Sequence, residues 1–120
     1  MDLDELSKRV AAEIDNYQYD YPAGMIGKPL ADDVIQNHLQ EMRAALIKPY
    51  WTEITLRDTI EQQNASVPIV RRCAVVADDT KGTLLAFDPI AGRFLLVMQR
   101  CETLESFGVD GDSVGCFMAR

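Results

Sequence analysis

The chain has 120 residues, of which 48% are hydrophobic and 26% are charged, and its formal net charge is -7. This length and composition are typical of one globular domain, residues 1–120, that needs no disulfide or metal for its stability. The acidic excess argues against binding nucleic acid or an anionic membrane, because both require a positive face. No apolar run is long enough to span a bilayer, and the acidic start MDLDELSKRV does not resemble a secretory signal. We therefore expect a cytoplasmic protein.

Apolar residues at steps of three and four predict two amphipathic helices in the first half of the chain. The first covers residues 2–17, with an apolar stripe formed by Leu3, Leu6, Val10, Ile14 and Tyr17. A loop over residues 18–29 follows, where two prolines and two glycines interrupt the pattern. The second helix covers residues 30–48 and is expected to end before Pro49.

The second half of the chain has the short apolar runs and turn residues of an antiparallel sheet. The predicted strands lie within residues 50–58, 69–77, 83–87, 93–100, 104–109 and 112–119. The dipeptide Asp110-Gly111 predicts a hairpin between the last two of these segments. We therefore predict an α+β fold, in which two N-terminal helices pack on a meander of four to six strands that ends in a C-terminal hairpin.

The central strands are apolar at consecutive positions, as in the run from Cys73 to Ala77, whereas a sheet with one face in water would alternate. Two helices are too few to cover both faces of such a sheet. One explanation is a homodimer that buries the remaining apolar face. The other is strong curvature, by which a short sheet wraps around its own core.

The three cysteines are Cys73, Cys101 and Cys116, and their spacing matches no zinc site. We expect buried, unreactive thiols, with Cys101 as the exception. It lies between Arg100 and Glu102, where a neighbouring cation favours a reactive thiolate.

Several aspartates occupy turn segments, namely Asp78, Asp79, Asp88, Asp110 and Asp112. They lack the spacing of a calcium loop, and aspartate is common in turns because its side chain bonds nearby backbone N–H groups. We expect turn chemistry here, and we expect neither a metal nor a cofactor.

A candidate ligand pocket lies between the second helix and the sheet. Trp51 would form its floor, and Tyr21, His38, Arg72 and Arg93 would form its edge. If Arg72 and Arg93 converge, their guanidinium groups can hold a carboxylate or phosphate. In an acidic chain, pairing with the neighbouring acidic loops is the simpler role for these arginines. His38, the only histidine, is more typical of a boundary residue than of a catalyst.

No nucleotide, hydrolase or zincin motif is present. The sequence favours a non-catalytic interaction or regulatory module that contacts a basic protein partner, with an inhibitor or immunity role as one form of this and a homodimer as the expected assembly. The alternative is a small-molecule binder or minor enzyme that uses the pocket beneath the second helix.

Overall fold

The computed structural model describes residues 2–18, 31–100 and 102–120. The elements in chain order are α1 (Leu3–Asp15), α2 (Asp32–Ala45), β1 (Leu46–Thr55), α3 (Ile60–Gln63), β2 (Val70–Asp78), β3 (Thr83–Asp88), β4 (Arg93–Arg100), β5 (Thr103–Gly111) and α4 (Ser113–Met118). The predicted α+β fold is confirmed, since two helices precede a five-stranded meander. None of the helices in the described ranges has the length and apolar character that crossing a bilayer requires.

The five strands close into a barrel in the order β1-β2-β3-β4-β5. Consecutive strands are antiparallel, so a meander with an odd number of strands brings β1 and β5 together in parallel. Within the described residues, these two strands share one bridge pair, Thr55 with Glu105. We call the line between β1 and β5 the seam.

The barrel separates two hydrophobic cores. Alternate strand residues face the barrel interior, and the fully buried members of this inner core are Ile54, Leu56, Cys73, Val75, Ala86, Leu95 and Val97. The residues between them face outward and pack against α1, α2 and α4 in a larger outer core, which includes Val76, Leu85 and Leu96. Closure of the sheet therefore accounts for apolar residues at consecutive strand positions, as the curvature interpretation predicted.

The helix α1 follows its predicted pattern closely. The Asp2 carboxylate accepts a hydrogen bond from the Asp4 N–H at 3.1 Å and caps the helix, as expected of an aspartate before an apolar stripe. Leu6, Val10 and Ile14 are buried against the barrel. The side chains that the period of 3.6 residues placed on one face are therefore the ones that form the outer core.

The predicted end of the second helix is three residues too late. The helix α2 ends at Ala45 and the chain passes directly into β1 at Leu46, so Pro49 lies within a strand. Proline is tolerated at sheet edges because its missing N–H does not disrupt a central ladder, and among the described residues β1 shares only one bridge pair with β5 along the seam. The irregular register between Leu46 and Tyr50 also separates this entry from the regular part of β1.

The predicted strand at residues 112–119 is wrong, because Ser113–Met118 forms α4. Asp112 carries the signal for this helix, since its carboxylate accepts a hydrogen bond from the Gly115 N–H at 3.0 Å and caps the first turn. Gly111 has a φ of 142° and ends β5 instead of turning a hairpin. The hairpin that ends the sheet is formed one strand earlier, by β4 and β5.

Candidate functional site

The larger of two cavities at the ends of the barrel has a volume of about 530 Å³. We call it the acidic mouth, and it is lined by Tyr50, Thr52, Glu53, Thr55, Val70, Asp78, Leu84, Gln99, Glu102, Thr103 and Leu104. These residues come from all five strands and from the turn before β5. The closed sheet is therefore what assembles the site.

The inner wall of the acidic mouth follows from the alternation of strand side chains. Thr52 lies two residues before the inward residue Ile54, and Gln99 lies two residues after the inward residue Val97. Residues two apart in a strand face the same side, so both side chains point into the barrel. The apolar interior of the barrel thus gives way to a hydroxyl and an amide at this end. A ligand that enters here meets hydrogen-bonding groups above an apolar floor.

The charge of the acidic mouth is unbalanced. Its lining contains the carboxylates of Glu53, Asp78 and Glu102, and none of the described residues that line it is a lysine or an arginine. Asp78 accepts a hydrogen bond from the Thr80 N–H at 2.8 Å. In the described ranges neither Glu53 nor Glu102 has an ion-pair partner within 4 Å. The result is a concave surface of negative potential, which attracts cations.

A second cavity, of about 290 Å³, lies at the opposite end of the barrel. We call it the arginine mouth, and it is lined by Leu56, Asp58, Thr59, Gln62, Arg71, Asp88, Ala91, Arg93, Leu95 and Asp110. Arg71 lies 2.7 Å from Asp88, and Arg93 lies 2.7 Å from Asp110. Two of its three carboxylates are therefore neutralised by bonded arginines.

Asp88 anchors the arginine mouth from inside the protein. Its side chain is only 3% exposed, and one carboxylate oxygen accepts hydrogen bonds from the Ile90 and Ala91 N–H groups at 3.0 and 3.3 Å. The other oxygen accepts the bond from Arg71. These partners satisfy the carboxylate internally, so Asp88 serves the turn and the ion pair. By charge, the acidic mouth is the stronger candidate for an external ligand.

Side chains close the seam on the side of the arginine mouth. The Arg57 N–H donates to the Ser106 hydroxyl at 2.9 Å, and the Gly108 N–H donates to the Asp58 carboxylate at 2.7 Å. The Arg57 guanidinium also pairs with Glu105 across the seam. The barrel is therefore tied together below Thr55, while no such tie between described residues crosses the seam beside the acidic mouth.

A third polar cluster joins the last residue of the chain to the helices and turns. Arg120 lies 2.6 Å from Glu41 and 3.1 Å from Asp79, and its guanidinium carbon is 3.9 Å from the Phe117 ring centroid. Burial alone would raise the pKa of Asp79. The backbone N–H groups of Lys81 and Thr83 and the Arg120 guanidinium outweigh burial, so the pKa lies below its usual value.

Of the predicted pocket residues that the structure describes, Trp51 and Arg72 lie together, whereas Arg93 lines the arginine mouth. Trp51 packs against the outer core, and the Arg72 guanidinium carbon lies 5.7 Å from its ring centroid. Arg93 lines the arginine mouth and pairs with Asp110, as the pairing interpretation predicted. His38 lies on α2, where its Nδ1 atom is buried and has no hydrogen-bond partner among the described residues.

Two further predicted site residues, Tyr21 and Cys101, lie outside the described residues. The other two cysteines are buried. Burial, with a smaller contribution from Asp88, raises the pKa of the Cys73 thiol to about 12. Burial, followed by the charges of Asp112 and Asp110, raises the pKa of Cys116 to about 12 as well. Both thiols are therefore protonated near neutral pH.

The turn interpretation is confirmed for four of the five aspartates, whereas the bond described for Asp110 is its ion pair with Arg93. Asp78, Asp79, Asp88 and Asp112 each accept at least one backbone N–H bond within a turn or helix cap. In the part of the chain that the structure describes, no three His, Cys, Asp or Glu side chains are grouped as metal ligands would be.

The site residues predicted from the sequence do not include Arg71, Glu53 or Glu102. Arg71 could have been found, because it has the same parity as the inward residues Cys73 and Val75 and therefore lies at the end of the barrel interior. Glu53 and Glu102 are distant in the sequence, and only closure of the barrel brings them to one cavity.

Comparisons with known proteins give no further guide to the site. No family model matches the chain, and neither the curated proteins nor the solved structures contain a match.

Proposed function

We propose that this protein is a non-catalytic interaction module that binds a basic segment of a protein partner at the acidic mouth. The observation that carries the proposal is the lining of that cavity, in which three carboxylates occur without a lysine or an arginine among the described residues. The net charge of -7 acts in the same direction, because it steers a basic partner toward the protein and repels acidic ones.

The acidic mouth also offers apolar contact area, which charge alone does not supply. Tyr50 is 43% exposed and Val70 is 50% exposed, and both line the cavity. A partner residue that covers these side chains removes apolar surface from water, while basic residues beside it meet Glu53 and Glu102. A segment that mixes basic and apolar residues therefore fits this lining better than a purely basic one.

The proposal is tested with an acetylated, amidated and fluorescently labelled peptide, Lys-Val-Lys-Val-Lys-Val, whose binding is followed by fluorescence anisotropy. The double variant Glu53→Gln/Glu102→Gln should bind about tenfold more weakly than the wild type, since each exposed charge pair contributes up to about 1 kcal/mol. Raising the salt concentration should weaken binding to the wild type and reduce this difference.

The matched control is Glu5→Gln/Glu61→Gln, which removes the same charge from two exposed helix positions outside the cavity lining. It should change peptide affinity less than twofold, because distant exposed charges are screened. Equal losses in both double variants, or no binding of the peptide to the wild type, would contradict the proposal.

An inhibitor or immunity role is one form of this proposal, in which occupation of the acidic mouth blocks the partner's own activity. A cytoplasmic location is part of the same proposal and is tested by fractionating cells that express the chain from its own promoter. Recovery with the membrane or extracellular fraction would contradict it.

The homodimer expected from the sequence is the candidate assembly. It is supported by the exposed apolar segment before β2, where Val67 is 74% exposed and Ile69 is 40% exposed. Sedimentation equilibrium should show a dimer for the wild type and a monomer for Val67→Ser/Ile69→Ser. A monomeric wild type at high concentration would remove this candidate.

Small-molecule binding is a second candidate function, supported by the volume of the acidic mouth, which lies within the usual range for ligand pockets. Its lining favours a polyamine-like cation. Calorimetry with spermidine tests this directly. The ligand pocket that the sequence predicts between α2 and the sheet is tested by His38→Ala and Trp51→Ala. We expect His38→Ala to leave both folding and peptide binding nearly unchanged.

A further inference from the structure

Among the described residues, β1 has little pairing on the edge that borders the acidic mouth. One side of β1 pairs with β2 from Tyr50 to Thr55. On the other side, the described residues provide one bridge pair, between Thr55 and Glu105. Because β5 begins at Thr103 and runs parallel to β1, the part of β1 before Glu53 extends beyond the start of β5. In the described ranges, a strand edge without a bridge partner therefore borders the cavity.

The backbone groups on this edge can be assigned from two hydrogen bonds. The Leu56 N–H donates to the Ile69 carbonyl at 2.8 Å, so it points toward β2. The Arg57 N–H donates to Ser106 at 2.9 Å, so it points toward β5. Residues two apart in a strand point their backbone groups to the same side. The N–H and C=O groups of Trp51 and Glu53 therefore face the seam, with Trp51 beyond the start of β5 and Glu53 opposite its first residue, Thr103.

The side chains along the edge specify what a neighbouring strand should carry. Thr52 and Ile54 face the barrel interior, so a residue placed beside them points into the cavity and is favoured when it is apolar. Glu53 has the opposite parity and is exposed, so a residue beside it is favoured when it is basic. The edge thus matches alternation of apolar and basic residues.

We propose that an extended segment of a basic protein partner adds to the edge of β1 as a sixth strand, with apolar residues in the acidic mouth and basic residues beside Glu53. This inference rests on the proposed function and specifies its binding mode. The part of this edge from Tyr50 to Glu53 is roughly 13 Å long at the usual rise of a strand, which accommodates about four residues.

A second copy of this chain is a poorer occupant of the edge. Edge-to-edge pairing of two β1 strands would bring the Glu53 carboxylates of both copies close together, and like charges on neighbouring strands are destabilising. The carboxylates of Asp78 and Glu102 would add to this repulsion. Charge complementarity therefore selects a basic partner.

The first experiment separates the backbone of Glu53 from its charge. Glu53→Gln removes the carboxylate and keeps the N–H, whereas Glu53→Pro removes both. The variant Glu53→Pro leaves the ladder to β2 intact, because the lost N–H faces the seam. With the peptide Lys-Val-Lys-Val-Lys-Val, Glu53→Pro should bind at least fivefold more weakly than Glu53→Gln. Equal affinities of the two variants would overturn strand addition.

The second experiment uses the wild-type protein and so does not depend on the folding of Glu53→Pro. Two forms of the peptide are N-methylated, one at its valines and one at its lysines. In an extended peptide, the backbone N–H groups of the valines point to one side and those of the lysines to the other. Only one of these two sets of N–H groups can therefore donate to β1. One methylated peptide should therefore bind at least tenfold more weakly than the other.

The outcomes distinguish this inference from the function on which it rests. If the parent peptide binds in a Glu53-dependent way and both methylated peptides behave alike, strand addition is wrong and the acidic mouth remains the binding site. If the parent peptide does not bind, both proposals are wrong. If the wild type forms a dimer that Glu53→Pro abolishes, a second copy occupies the edge and the inference is overturned.

Discussion

The Ser106 hydroxyl accepts a hydrogen bond from the Arg57 N–H at 2.9 Å and links β5 to the residues that follow β1. Ser106 is 1% exposed, so water does not replace this bond when the hydroxyl is removed. We expect Ser106→Ala to lower the free energy of unfolding by about 1–3 kcal/mol, the usual cost of an unsatisfied buried donor. Urea denaturation measures this loss, and amide exchange should accelerate at Arg57.

The control for Ser106 is Ser7→Ala on α1, where alanine is the better helix former. This variant should be as stable as the wild type or slightly more stable. If Ser106→Ala unfolds at the same urea concentration as the wild type, the bond to Arg57 does not stabilise the seam.

The two ion pairs of the arginine mouth have the same length and different burial. Both are 2.7 Å long, but the Asp88 side chain is 3% exposed while that of Asp110 is 45% exposed. We expect Asp88→Asn to cost about 3 kcal/mol of unfolding free energy, because it leaves the partly buried Arg71 without its counter-charge. Asp110→Asn should cost less than about 1 kcal/mol. Thermal and urea unfolding of the two variants check this order, and similar losses would contradict it.

The stability contributed by Asp79 should depend on pH. Its pKa in the folded protein lies below the ordinary value, so this contribution is complete above the unfolded pKa and is lost as the pH falls through the folded pKa. Asp79→Asn should therefore lower the unfolding free energy at pH 7 and should have a progressively smaller effect below about pH 4. Urea unfolding across this pH range measures the difference.

Arg120→Gln is the companion variant for Asp79, because it removes the guanidinium and leaves the bonds from Lys81 and Thr83. It should reproduce part of the pH dependence of Asp79→Asn. A stability difference between wild type and Asp79→Asn that is constant from neutral to acidic pH would show that the carboxylate is not stabilised in its charged form.

The thiols of Cys73 and Cys116 should not react with a disulfide reagent in the folded protein. Burial raises the pKa of each to about 12, so almost no thiolate is present near pH 8. Labelling with Ellman's reagent followed by peptide mass spectrometry should place any native-state modification at Cys101, which sequence analysis predicts to be reactive. Unfolding in urea should expose all three thiols. Rapid native-state labelling of Cys73 or Cys116 would contradict this prediction.

The sequence predicts the fold well wherever a repeating pattern reports a buried face. The apolar stripe of α1 is found where its helical period predicted it. The three apolar runs form β2, β3 and β4, as predicted. Apolar residues at consecutive positions also indicated two covered faces. They did not distinguish a dimer from a closed barrel, because both arrangements bury the same residues.

The errors occur where a local signal has two structural meanings. Asp110-Gly111 is typical of a hairpin, but Asp112 caps a helix directly afterward. Pro49 is typical of a helix end, but it is equally acceptable at the edge of a sheet. The candidate site was harder to predict, since Glu53 and Glu102 line one cavity only after the barrel closes.

The odd number of strands has a consequence for how the folded chain opens. Each of the other pairs of neighbouring strands is also consecutive in the chain, so the connecting segment keeps the two strands together when their hydrogen bonds break. The strands β1 and β5 are separated by the whole of the meander and have no such tether. We expect transient local unfolding to begin by their parting, which would expose the interior of the barrel before any hairpin dissolves.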